Sequence, residues 1–168
     1  KSWENEWFVK TGGSYKKLGD LYIPHHTLQN TGAEVNSFNF SFGNHSFMQG
    51  FDVSYSGINQ EFGIFKGAHL GNNVDFRNVF KFGQPYYLDN FSYDIVNPKQ
   101  EVEHHIAKLS AYKRFENFGK LSFQYSFQMN RRKEFDIRRG DLNALPSMDL
   151  RLITHSASLV HLIERTDW

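Results

Sequence analysis

Residues 121–130 read LSFQYSFQMN, and this stretch decides the fold class. Every odd position carries an apolar or aromatic side chain, and every even position carries serine, glutamine or asparagine. Alternation with a period of two is typical of a β-strand with one apolar face and one polar face. A helix would scatter the same residues around its axis. The stretch therefore predicts a strand whose two faces meet different surroundings.

The same alternation recurs along the chain, most clearly at residues 36–42, where three phenylalanines alternate with serine and asparagine. Short polar segments that contain glycine and asparagine, GNHS at 43–46 and ENFG at 116–119, predict tight turns between neighbouring strands. Further strands are expected at residues 3–14, 47–57, 105–115 and, less regularly, 150–163. The sequence therefore predicts about six strands.

The connections between these strands alternate in length. Residues 15–33, 58–101 and 131–149 are expected to form long connections, with a short helix within residues 75–82. We therefore predict an all-β fold, an antiparallel up-and-down meander with every long connection at one end. Transmembrane β-barrels have this asymmetry, whereas the connections of soluble β-sandwiches follow no such rule. The pattern favours a meander that is part of a larger transmembrane β-barrel.

Composition narrows the classes of function. Aromatic residues make up 17% of the chain, yet the mean hydropathy is −0.58, as expected when apolar residues occupy alternate strand positions. The near-neutral net charge of +1 gives no reason to expect a nucleic-acid partner. Cysteine is absent, which excludes disulfides and thiol catalysis. We identify no catalytic constellation or cofactor motif, so neither an enzyme nor a bound cofactor is predicted.

Three segments carry a resemblance to a known family: GIFKGAHLG at 63–71, FSYDIVNPKQEVEHH at 91–105, and residues 124–140, which end in NRRKEFDIRRG. Together with Asn30-Thr31-Gly32, they resemble the barrel region of TonB-dependent outer-membrane receptors, particularly those of Bacteroidota-type bacteria. The resemblance keeps the order of the segments and covers nearly the whole chain. It is specific to a branch of the family and to no single substrate.

The resemblance implies that residues 1–168 are part of the wall of a barrel of about twenty-two strands. We find no plug domain in these residues, and we expect the chain to be a piece of the barrel. Receptors of this family sit in the bacterial outer membrane and import scarce nutrients such as iron-siderophore complexes, haem or cobalamin. The implied partners are outer-membrane lipid, a small-molecule or metal-chelate substrate, and TonB acting through the missing plug.

Candidate site residues follow from the strand pattern and the resemblance. The residues expected to face lipid are Phe38, Phe40, Phe123, Tyr125 and Phe127. The ligand-facing loop candidates are Phe65, His69, Tyr86, Tyr87, Arg138 and Arg139. No metal site is predicted among the eight histidines, because the adjacent pair His104 and His105 would point to opposite faces of a strand.

Some alternatives remain open from the sequence. The basic cluster within residues 131–139 is either an anion-recognising rim, for an acidic siderophore or lipopolysaccharide phosphates, or a salt-bridged base of a loop. The whole chain could instead be a soluble β-sandwich whose aromatic loops bind carbohydrate. A passive outer-membrane pore without energy coupling is the third possibility.

Overall fold

The structure, a computed structural model, describes residues 6–24, 26–68, 73–83, 90–138 and 140–163. These residues are predominantly β-structure with one short α-helix. In chain order the elements are β1 (Glu6–Leu18), β2 (Leu21–Ile23), β3 (His26–Leu28), β4 (Ala33–His45), β5 (Gln49–Gly63), α1 (Asn73–Phe82), β6 (Lys99–Phe115), β7 (Gly119–Phe135) and β8 (Met148–Leu162). Single 3-10 turns occupy Lys66–Ala68 and Gly140–Ala144.

Six of the strands form one antiparallel sheet in the order β1-β4-β5-β6-β7-β8, and β2 and β3 form a small separate hairpin. Apart from that hairpin, chain neighbours are sheet neighbours, so the predicted all-β antiparallel meander of six strands is confirmed. Connections 19–32, 64–98 and 136–147 lie at one end of the sheet, here called the loop end. Connections 46–48 and 116–118 lie at the other, the turn end.

Several local predictions are confirmed. The short helix lies inside the second long connection, as α1. Gly119 ends the second tight turn with φ +91°, and an added Cβ would lie 2.2 Å from the carbonyl oxygen of Leu162. Such a backbone conformation with so little space favours glycine. This turn therefore joins β6 to β7 as the sequence predicted.

The predicted boundaries are wrong at the strand ends. β1 continues to Leu18 and the β2–β3 hairpin follows, where a loop was expected from residue 15. β7 continues to Phe135 and β8 begins at Met148, so part of the expected charged loop is strand. The first turn occupies residues 46–48 and not 43–46. The reason is that backbone hydrogen bonds continue between strands whatever the polarity of the side chains.

The sheet is a single layer without a hydrophobic core. Among the described residues no apolar side chain other than that of Pro98 is buried, and the chain exposes 12454 Å². A compact monomer of 19.7 kDa would expose about 8,600 Å². One side each of β1 and β8 has no partner strand within the described chain. No helix among the described residues is long and apolar enough to cross a membrane.

Candidate functional site

The strand register assigns each side chain to one of two faces. Directly opposed residues of antiparallel neighbours point to the same side of a sheet. Phe123 on β7 is opposite Leu159 on β8 and Ala111 on β6, and Ala111 is opposite Phe51 on β5. We call the side that carries Phe123 the aromatic face and the other side the polar face.

The aromatic face carries a continuous apolar band across all six strands. On β7 the band runs from Leu121 to Met129, close to the about 9–11 residues with which a tilted strand crosses a bilayer. All five residues predicted to face lipid lie in this band. Its principal members are Trp7, Val9, Phe38, Phe40, Phe42, Phe51, Val53, Tyr55, Leu109, Leu121, Phe123, Tyr125, Phe127, Met129, Ile153 and Leu159.

Ring contacts and paired polar atoms order the band. Trp7 stacks on Phe42 with ring centroids 5.5 Å apart. Two cross-strand pairs join a tyrosine hydroxyl to a histidine Nδ1 at 2.7 Å, Tyr55 with His105 and Tyr125 with His155. These tyrosine and histidine side chains therefore form hydrogen bonds with each other inside the band. The pairing lowers the free-energy cost of placing their polar atoms in an apolar environment.

The centre of the polar face carries mainly hydroxyl and amide side chains, with Ile106 and Lys108 among them on β6. The hydroxyl and amide side chains are those of Ser37, Asn39, Ser41, Ser54, Ser56, Ser110, Ser122, Gln124, Ser126, Gln128, Asn130, Thr154, Ser156 and Ser158. Such neutral groups form hydrogen bonds readily with water or with another polar surface. At the two ends of β8, however, Leu150, Leu152, Val160 and Leu162 are exposed on this face.

On the loop-end side of the apolar band, the aromatic face changes abruptly to charge. We call this row of charges the ionic belt; it consists of Lys17, Glu34, Glu61, Lys99, Glu101, Glu103, Arg131, Lys133, Asp149 and Arg151. Cross-strand pairs run along it, with N–O distances of 2.7 Å for Lys99–Glu61, 2.6 Å for Arg131–Asp149 and 3.6 Å for Lys17–Glu34.

The belt shifts the protonation of its own members. Two hydrogen bonds from the Arg131 guanidinium, at 2.9 and 2.6 Å, lower the pKa of Asp149, and the same contact raises the pKa of Arg131. Partial burial acts to lower the pKa of Lys99, but hydrogen bonds and charge from Glu61 and Glu101 outweigh it and raise that pKa. Asp149, Arg131 and Lys99 are therefore charged at neutral pH.

The turn-end side of the band is bounded by aromatic rings and by cations that lie over such rings. Phe118 stacks on His161 at 4.0 Å and meets Phe115 edge-on at 6.0 Å. The Lys113 ammonium lies 5.4 Å from the centroid of the Phe115 ring. Aromatic girdles of this kind flank the apolar band of transmembrane barrels.

At the loop end, two buried polar residues tie the first two long connections together. Asn30 is 2% exposed, with φ 62°, and donates to the carbonyl oxygens of Ile64 and Pro98 at 2.9 and 2.8 Å. Its own oxygen accepts from the Val96 amide at 2.9 Å. Asp20, 6% exposed, accepts from the amides of Thr31 and Ser92. We call Asp20 and Asn30 with these partners the polar knot.

The strand pattern of the sequence does not predict the polar knot. In the sequence, Asn30 belongs to the family-like segment Asn30-Thr31-Gly32, and no pattern marks Asp20. An asparagine just before Thr-Gly is a reasonable signal for a positive φ, but its three long-range partners cannot be read from sequence. The knot joins the connection 19–32 to Ile64 and to residues 92–98, at the two ends of the connection 64–98.

The predicted loop candidates are only partly described. Phe65 is half-buried just after β5, beside Gly67, and Arg138 is exposed after β7, with its amide donating to Asn143. Both lie at the loop end but on different connections. His69, Tyr86, Tyr87 and Arg139 lie outside the described residues.

The basic cluster is divided by the register, contrary to its prediction as a single loop. Arg131 and Lys133 lie on the aromatic face, in the ionic belt, while Arg132 points to the polar face and pairs with Glu134 at 2.5 Å. His105 contacts Tyr55 on the aromatic face, and His104 lies near Asn130 on the polar face. Among the described residues no histidine or carboxylate cluster could hold a metal ion.

No protein-family model matches the chain, and neither a curated protein nor a solved structure matches it significantly.

Proposed function

We propose that the chain is part of the barrel wall of a TonB-dependent outer-membrane receptor that imports a scarce nutrient. The proposal rests chiefly on one observation: a single-layer meander with an apolar band of bilayer-crossing length on one face and a hydroxyl-lined opposite face. In a membrane barrel the first face meets lipid and the second lines the lumen.

Three further features support a barrel in a membrane. The described part of the sheet has no second layer to cover its apolar band, so lipid is the apolar environment that the band requires. Charges and aromatic rings bound the band on its two sides. The long connections lie together at one end, where an outer-membrane barrel carries its extracellular loops.

The unpaired sides of β1 and β8 support a larger barrel. A long exposed strand edge is a site of aggregation unless another strand pairs with it. Neighbouring strands of the same barrel would satisfy both edges. The family resemblance of residues 63–71, 91–105 and 124–140 adds the specific expectation of active import, with iron-siderophore, haem or cobalamin as candidate substrates.

Membrane insertion is tested with a matched pair of cysteine variants, because the chain has no cysteine of its own. Tyr125→Cys places a thiol-linked polarity-sensitive dye on the aromatic face, and Ser126→Cys places it one residue further along, on the polar face. We expect blue-shifted emission and protection from a water-soluble quencher only at position 125 in vesicles. Equal emission at both positions, or a folded monomer in buffer without detergent, contradicts the proposal.

Active import is tested in cells that carry or lack the gene for this protein. We expect gene-dependent uptake of one radiolabelled candidate substrate, and its loss when the inner-membrane proton gradient is collapsed. Uptake that survives the collapse identifies a passive pore, the main alternative. Gene-independent uptake of all three candidates contradicts a role in their import.

A further inference from the structure

One short segment of the second long connection is bonded to both of the other two. On the side of the first connection, the Asn30 side chain accepts from the Val96 amide at 2.9 Å and donates to the Pro98 carbonyl oxygen at 2.8 Å. On the side of the third connection, the Asn97 side chain donates to the backbone and side-chain oxygens of Asn143, at 2.7 and 3.2 Å. We call Val96, Asn97 and Pro98 the joint.

The joint is held firmly on the side of the first connection. Pro98 is fully buried, and its carbonyl oxygen accepts from the Ile64 amide, at 2.9 Å, as well as from Asn30. Asn30 is itself 2% exposed, and its carbonyl oxygen would lie only 2.4 Å from a Cβ added to Gly63. Buried polar groups that lose their hydrogen bonds are costly to leave unpaired. A displacement of the joint would therefore break bonds that the first connection needs.

On the other side, Asn97 takes part in the folding of the third connection. The Asn143 side-chain oxygen that accepts from Asn97 also accepts from the Arg138 amide, at 3.2 Å. The Leu145 amide donates to the carbonyl oxygen of Leu142 at 3.2 Å and closes the turn that contains Asn143. Asn97 therefore helps to fix the backbone at Arg138, the described ligand-facing candidate of this connection.

We propose that the joint couples the first and third long connections energetically, so that ordering one of them stabilises the other. Coupling between two sites is reciprocal, so a ligand that orders the third connection at Arg138 also stabilises the first. A ligand that contacts both connections then meets one already ordered by the other, which lowers the entropic cost of binding. The coupling is a property of the loop end, and its use in substrate capture rests on the proposed function.

The test is a double-mutant cycle, measured by amide hydrogen exchange of the whole chain in vesicles. Asn30→Gly removes the side-chain bonds between the first connection and the joint, and Asn97→Ala removes those between the joint and the third connection. The reporter is the Leu145 amide, whose own hydrogen bond involves neither residue. We expect Asn30→Gly to speed its exchange about fivefold, the equivalent of one hydrogen bond. In the Asn97→Ala background, Asn30→Gly should have no further effect on it.

Asn117→Gly is the matched control, because it makes the same substitution in the exposed tight turn at the turn end. We expect it to leave the exchange of Leu145 unchanged. Faster exchange of Leu145 in Asn117→Gly, or of amides in the middle of β7 in Asn30→Gly, indicates general loosening and overturns the coupling. An unchanged rate at Leu145 in Asn30→Gly overturns it as well. So does an equal acceleration with and without Asn97→Ala, because the effect then does not pass through the joint.

Failure of the coupling is distinguishable from failure of the proposed function. The dye at Tyr125→Cys reports insertion in the same vesicles, whereas Leu145 reports the loop end. Insertion without coupling overturns the role of the joint and leaves the barrel proposal intact. Coupling in a chain that does not insert contradicts the barrel proposal and, with it, the use of the coupling in substrate capture.

Discussion

The polar knot offers the sharpest test of how the loop end is built. Asn30 replaces water for three backbone groups, the carbonyl oxygens of Ile64 and Pro98 and the amide of Val96. Asn30→Gly removes these bonds but accepts the positive φ of 62° without strain. At about 1 kcal/mol for each bond, the free energy of local unfolding should fall by about 3 kcal/mol.

Asn30→Ala adds backbone strain to the same loss. An alanine in the left-handed region costs about 1 kcal/mol more than glycine, so the total for Asn30→Ala is about 4 kcal/mol. We expect Asn30→Gly to be less destabilising than Asn30→Ala. The effect of Asn30→Gly measures the loss of the side-chain hydrogen bonds, and the difference between the two variants measures the backbone strain. Equal effects would show that φ at this position is not maintained.

Amide hydrogen exchange measures the effect at two backbone amides whose own hydrogen bonds do not involve Asn30. The amides of Asp20 and Ile64 donate to Ser92 and Pro98 across the two connections. A loss of about 3 kcal/mol corresponds to roughly 100-fold faster exchange through local opening. Amides in the middle of β7 should keep their rates and serve as the internal control. Unchanged exchange at both reporters would refute the idea that the knot holds the connections together.

Three further predictions test the faces, the turn and the belt. Phe123→Asp should impair insertion into vesicles by up to about 2 kcal/mol, whereas Gln124→Asp on the polar face should be tolerated; equal yields would contradict the assignment of faces. Gly119→Ala should lower the denaturant midpoint much more than Gly83→Ala, since both have positive φ but only the first has a backbone atom 2.2 Å from the added Cβ. Because the pKa of Asp149 is lowered by folding, its ion pair stabilises β7–β8 pairing at neutral pH, and this stabilisation is lost as the pH falls through that pKa. The hydrogen-exchange protection of the β7–β8 amides, measured as a function of pH, should fall towards low pH. Asp149→Asn should lack this dependence.

The sequence by itself determined the alternation of the strands and the alternation of connection lengths. Both are local properties: side chains on a strand alternate between faces, so a run such as residues 121–130 predicts its own conformation. From these two patterns the antiparallel meander followed, as did the common face of Phe38, Phe40, Phe123, Tyr125 and Phe127. Strand ends did not follow, because a charged residue such as Arg131 pairs with its neighbour's backbone as readily as an apolar one.

The tertiary structure alone decided what depends on register and on distant partners. A shift of one residue between strands would move Arg151 to the other face, so the opposition of Arg131 and Arg151 could not be read from either strand. The same holds for Asn30, whose partners lie 34 to 68 residues away in the chain. Sequence patterns report which way a side chain points; only the paired sheet determines which side chain it meets.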